Sequence, residues 1–163
     1  MTHLANERVA YHNGKFLPES EVVISFRDRG FKFGEAVFDT ARTIAHKPFK
    51  LREHVARLYK SLRYLNIDPK LTPDEMVTLS EEVLKRNAHL LGPDDDYWLY
   101  QRITPGTANR FAGEDEGEPT VIIECTPIPF AARAPLLSGT HRPSPDATSV
   151  HTSQTVPRPG VRV

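Results

Sequence analysis

The sequence predicts an α+β domain over residues 1–130, with a mainly antiparallel sheet packed against two helices. Three observations carry this prediction. An Asn13-Gly14 pair sits between flanks that read as strands, two successive stretches repeat apolar residues at the helical period, and β-branched and aromatic runs return after them.

In RVAYHNGKFLP, Val9 and Tyr11 precede Asn13-Gly14 and Phe16 follows it. That dipeptide tolerates positive φ at both central positions of a two-residue turn, so strand, turn and strand are expected. EVVIS (21–25) and EAVFDTARTI (35–44) continue the β pattern, with Val37, Asp39 and Ala41 alternating against Phe38, Thr40 and Arg42, and AHKP then turns the chain. Leu51, Val55, Leu58, Leu62 and Leu65 recur at helical spacing and predict an amphipathic helix over 51–65. A second helix opens at Thr72, with Glu75 completing a capping box and Pro73 suited to the first turn. Met76, Leu79, Val83 and Leu84 make its buried face, and Gly92-Pro93 stops it. YWLYQRIT (97–104) and PTVIIECTPI (119–128) then read as strands on either side of the loop PGTANRFAGEDEGE.

A chain of 163 residues suffices for one domain with its own core and is short for two. Basic and acidic residues balance at 21 each, so no net field gathers nucleic acid or an anionic membrane. The single cysteine, Cys125, excludes an intrachain disulfide framework. The polar start MTHLANER lacks the apolar core of a signal peptide, and no run approaches the roughly 18 apolar residues of a membrane span. A soluble, cytoplasmic protein is expected. From Ala131 to Val163 the chain has no lysine, no glutamate and a single acid, Asp146, while Pro, Ser, Thr and Arg dominate. Residues 131–163 are therefore expected to be an interdomain linker or an aberrant, disordered tail.

On the first helix His54 falls beside the apolar stripe and Arg57 one step further round. The two either present a partly buried guanidinium and a neighbouring imidazole to a dianion, or are a boundary histidine and a solvated arginine. Spacing alone leaves both open. In FRDRGFKFGEAVFDTAR, Gly30 and Gly34 bracket Phe31 and Phe33 and precede Phe38, which suits either a backbone brought close to a flat group or a tight turn in an ordinary core. Other chemistries fall away: Gly34 is followed by Glu-Ala rather than Lys-Ser/Thr, the acidic stretches lack calcium-loop spacing, no histidines stand at metal-ligand spacing and there is no Gly-x-Ser-x-Gly elbow. No metal and no self-contained catalytic set is assigned.

Taken in order, the Asp28-Arg29-Gly30-Phe31 turn, the Gly34 to Phe38 segment, the His54-x-x-Arg57-Leu58 helix and the Pro119 to Ile128 strand resemble the amino-terminal domain of the class IV aminotransferases. These are the fold-type IV pyridoxal phosphate enzymes, and the resemblance runs from about Val9 to Ala134. It implies that Arg57 grips the phosphate of pyridoxal phosphate with His54 as its supporting neighbour. Phe33, where tyrosine is common, and Phe38 would line the substrate side-chain pocket, and Tyr100 and Arg102 would face substrate carboxylates. Arg110 matches the arginine of the D-amino-acid enzymes' carboxylate trap, which reaches the neighbouring subunit's site. The trap's usual histidine is Ala112 here, and the Thr-Arg-Gly common before the loop reads Thr104-Pro105-Gly106.

By this resemblance the chain is a branched-chain or D-amino-acid aminotransferase, passing an amino group to a 2-oxo acid through pyridoxal phosphate, as a homodimer. Family members carry the lysine that holds the cofactor and moves the α-proton in a stretch that here reads HTSQTVPRPGVRV, and no lysine follows Lys85. The expectation is a truncated or frame-shifted copy that lacks the lysine domain and is inactive alone, with no catalytic residue of its own. Two alternatives stand beside it: an aminodeoxychorismate lyase-like enzyme, and a non-catalytic free-standing domain that pairs with full-length subunits.

Overall fold

In a computed structural model of the protein, which describes residues 7–107 and 118–130, the Asn13-Gly14 turn forms as its residue types dictate. Both take positive φ (42° and 87°), and β1 (Val9–His12) folds directly back into β2 (Lys15–Pro18) with Tyr11 opposite Phe16. The expected strand at 21–25 is corrected. Glu19–Glu21 is a single 3-10 turn, closed by Val22 N donating to Glu19 O, and Val23 and Ile24 run on as exposed irregular chain. Three consecutive β-branched residues without a partner strand do not make a ladder.

The Asp-Arg-Gly-Phe segment is likewise more regular than a turn. Asp28 caps a short helix α1 (Arg29–Phe33), accepting from Gly30 N at 2.7 Å, and Gly34 ends it in the left-handed region at φ 70°. Strands β3 (Val37–Ile44) and β4 (Lys47–Phe49) form a second hairpin, followed by α2 (Leu51–Tyr64), α3 (Pro73–Asn87), β5 (Tyr97–Thr104) and β6 (Thr120–Pro127). The Thr72–Glu75 capping box opens α3 as expected: Glu75 N donates to Thr72 Oγ1, and Thr72 N donates to Glu75 Oε2.

The six strands lie in the order β2-β1-β6-β5-β3-β4, every pair antiparallel. Alternation sends Val37, Asp39, Ala41 and Thr43 of β3, with Tyr97, Leu99, Gln101 and Ile103 of β5, to one buried face. There α2 packs on β3, and α3 packs on β1, β5 and β6. Leu51, Val55, Leu58 and Leu62 of α2 and Met76, Val77, Val83 and Leu84 of α3 fill the space between helices and sheet. Each such side chain contributes about 1.5–3 kcal/mol by leaving water.

Asp96 anchors the second hairpin from below. It accepts from Thr43 Oγ1 at 2.5 Å and from the N–H groups of Ala45 and His46, both at positive φ. Among the described residues β4 covers only Arg42–Ile44, so residues 37–41 of β3 form a sheet edge. The chain divides into a unit ending at Ile128 and another beginning at Pro129, of which the structure describes only Pro129 and Phe130. The tail expected over 131–163 lies outside the described residues, as does Arg110.

Candidate functional site

Asp39 is the one charged residue on the inward side of β3, and it explains why α2 carries His54 and Arg57 where it does. Its carboxylate, 3% exposed, accepts from Arg57 Nε (2.7 Å, on Oδ2), from Arg57 Nη2 (2.9 Å, on Oδ1) and from His54 Nδ1 (2.7 Å, on Oδ1). Both donors come from successive turns of α2, three residues apart, so the helix delivers them side by side. A carboxylate oxygen only accepts, so this contact calls for a proton on His54 Nδ1. Arg57 Nη2 also lies 3.1 Å from His54 Nδ1, but as an obligate donor it is satisfied by Asp39.

The guanidinium is more exposed than the sequence suggested. The Arg57 side chain is 64% exposed, and what is buried is its anchor. Among the described residues Nη1 has no partner, so the arginine is gripped along one edge and open along the other. The sequence pointed to His54 and Arg57 and missed Asp39. Yet a signal was there: an acid grouped by alternation with Val37 and Ala41 is a buried carboxylate, which demands a cation.

Three of the residues expected to meet substrate, Phe38, Tyr100 and Arg102, are gathered on the opposite face of the same strands. Phe38 stands across from Arg102 and Thr40 across from Tyr100. The Arg102 guanidinium lies 5.9 Å from the Phe38 ring centroid and 4.8 Å from that of Tyr100, and its Nε donates to Glu124 Oε1 at 2.7 Å. Phe38, Tyr100 and Arg102 thus form one cluster, with the arginine already facing a carboxylate. Phe33 is placed separately, at the end of α1, its ring near the Arg29 guanidinium (5.3 Å) and the Lys32 amine (4.9 Å). An open groove of about 480 Å³ rounds the free edge of β3, from Lys60, Ser61, Tyr64 and Leu65 of α2 and its end to Ala36, Val37 and Phe38. Its lining includes Phe38 but not Asp39, His54 or Arg57.

Burial pushes the Asp39 carboxyl up, but the hydrogen bonds and charges of Arg57 and His54 outweigh it and hold its pKa below the ordinary value. Asp96 behaves alike: burial raises it, while the Thr43 hydroxyl and the His46 and Ala45 N–H groups bring it below the ordinary value. Near and below pH 3.9, the ordinary aspartate value, the unfolded chain therefore binds more protons than the folded one. The stabilisation from both groups is complete above about that pH and is lost as pH falls through the depressed folded values. Urea midpoints should fall on acidification below about pH 4, and more shallowly in Asp96→Asn. Equal slopes for wild type and variant would refute the assignment.

A model of the family Amino-transferase class IV matches residues 36–159. The chain belongs to that family. A class IV amino-transferase relative from Methanocaldococcus jannaschii, named "Putative branched-chain-amino-acid aminotransferase", is 34% identical over 120 residues, which are 73% of this chain and 40% of that protein. The D-alanine aminotransferase of Bacillus licheniformis is 34% identical over 98 residues, 60% of this chain and 33% of its own length. An aminotransferase from Brucella abortus, solved with the cofactor PLP, superposes with a TM-score of 0.63 at 21% identity, over 75% of this chain and 42% of that one; at such identity the likeness speaks for the fold. The class IV chain thus spans less than half the length of these relatives. Among its described residues no helix is long and apolar enough to cross a membrane.

Proposed function

We propose that this chain is the phosphate-anchoring and substrate-facing part of a pyridoxal phosphate-dependent aminotransferase of the branched-chain or D-amino-acid type, working as a homodimer in the cytoplasm. The observation that carries the reading is the Arg57 guanidinium, held along one edge by buried Asp39 and open along the other. A planar donor fork fixed at a surface suits a phosphate dianion, so the residues present fit that end of the cofactor. When bound, pyridoxal phosphate supplies the electron sink for removing the substrate's α-proton. Arg57 binds and orients the phosphate, with His54 beside it. Phe33 and Phe38 select apolar side chains by shape, while Tyr100, Arg102 and Arg110 meet the carboxylates of the amino acid and the 2-oxo acid.

Arg102 must exchange part of its contact with Glu124 for that purpose. The proton transfer itself needs a lysine. Lys85, the last in the sequence, is 81% exposed on α3 beside Glu82 and does not provide it. The 163-residue chain alone is therefore expected to bind pyridoxal phosphate weakly and to turn over neither L-branched-chain nor D-amino donors.

One charge-assisted phosphate contact contributes about 1.5–3 kcal/mol, against about 8 kcal/mol for micromolar affinity. In a titration followed by the 31P resonance of pyridoxal phosphate, Arg57→Ala should weaken the residual binding by about 10- to 100-fold. A tight site indifferent to that change would overturn the reading. Pyruvate released from aminodeoxychorismate would favour the lyase, and turnover appearing only on mixing with a full-length class IV subunit would favour a free-standing partner domain.

A further inference from the structure

Arg57 presents a puzzle of design. An arginine whose side chain is 64% exposed has no need of a buried counter-ion, because water can satisfy it. Asp39, by contrast, is taken out of water at a cost that an uncharged residue in the same place would avoid. What the arrangement retains in return is geometry: two hydrogen bonds from one edge of Arg57 and one from Nδ1 of His54 converge on a single rigid carboxylate in a paired strand. An unheld arginine side chain would sample many rotamers, and each ordered rotor is lost freedom that an arriving anion must otherwise overcome.

We propose that Asp39 is a positioning residue for the phosphate anchor: it locks the Arg57 guanidinium with its Nη1 edge outward and fixes His54 as the Nδ1–H tautomer with Nε2 directed away from the carboxylate. The proposal rests on the phosphate-binding reading given above and adds to it a residue that touches neither phosphate nor substrate.

The sign of one substitution separates this role from that of a mere neighbouring charge. Asp39 carries a negative charge close to where an anion binds, so by Coulomb repulsion alone Asp39→Asn should strengthen anion binding. If Asp39 positions Arg57, the same change should weaken it, because an amide has one acceptor oxygen and sets its own N–H2 against the donors of Arg57 and His54.

The test uses the 163-residue chain with pyridoxal phosphate and inorganic phosphate as probes. In the ligand-free wild type, 15N spectra should show a resolved, slowly exchanging Arg57 Nε–H and a His54 ring protonated on Nδ1. Asp39→Asn should lose the Arg57 Nε–H signal, mix the His54 tautomers and weaken both probes at least tenfold. Unchanged or tighter binding in Asp39→Asn, with Arg57→Ala still weakening it, would overturn the positioning role and leave the phosphate reading intact. If neither probe responds to Arg57→Ala, the phosphate reading fails, and the Arg57 Nε–H signal still judges Asp39: its persistence in Asp39→Asn overturns the proposal. Should that variant not fold, the wild-type spectra decide, and a His54 ring without a proton on Nδ1 overturns it.

Discussion

Replacing Asp28 by alanine should lower the stability of the domain by about 3–5 kcal/mol, from the loss of several hydrogen bonds to one buried carboxylate. Asp28 is buried, and it joins three elements that are far apart in sequence. It caps α1 through Gly30 N, and Oδ2 accepts from Thr104 Oγ1 at the end of β5 (2.8 Å) and from Thr120 Oγ1 at the start of β6 (2.6 Å). The Arg29 N–H, next in the chain, donates to Gly106 O, so α1 is sewn to the same end of the sheet by backbone as well. Alanine leaves these part-buried donors without their acceptor. Equilibrium urea unfolding measures the effect, and a loss below about 1 kcal/mol would show that the donors find other partners.

Leu58→Ala should cost a comparable amount, about 3 kcal/mol within the 2–5 kcal/mol usual for such truncations. Leu58 is almost wholly buried and sits between Val55 and Leu62 on the face of α2 that meets the sheet. Removing its branched end opens a cavity that the close-packed neighbours cannot fill. The control lies on the same helix: Tyr64 is 89% exposed, and Tyr64→Ala should stay within about 0.5 kcal/mol. Similar losses at both positions would contradict the packing described for α2.

Much of the fold was legible because its local and global signals agree. The Asn13-Gly14 turn, the leucine stripe of α2, the capping box of α3 and the alternation along β3 and β5 each have a local cause that the tertiary structure reinforces. EVVIS departs from its expected strand because propensity describes a residue's fit to a pleated surface and says nothing about whether a partner strand is available. The DRGF segment was read as a turn because a helix of five residues is too short for periodicity to show; its cap, Asp28, is evident only once Thr104 and Thr120 arrive from far along the chain.

The site was legible in a different proportion. Helical geometry puts His54 and Arg57 side by side without deciding whether they form a site, and their mutual anchor lies 15 and 18 residues away on a strand. That Phe38, Tyr100 and Arg102 cluster follows from the β3–β5 register, which no local pattern specifies.

The alternation along β3 has an evolutionary consequence. Asp39 and Phe38 are chain neighbours on opposite faces of one strand, so on the roles proposed above the phosphate anchor and the substrate-pocket wall occupy interleaved positions. Substitutions at Phe38, Thr40 or Arg42 can retune what the outer face accepts while the inward set, Val37, Asp39 and Ala41, is inherited unchanged. On that proposed reading, specificity can drift quickly and cofactor affinity hardly at all. Insertions and deletions have no such freedom: one residue gained or lost within β3 would exchange the two faces, burying a phenylalanine where the carboxylate belongs and stranding the carboxylate in solvent. A lineage built on this strand is thus expected to diversify by point mutation here and to confine its length variation to the loops.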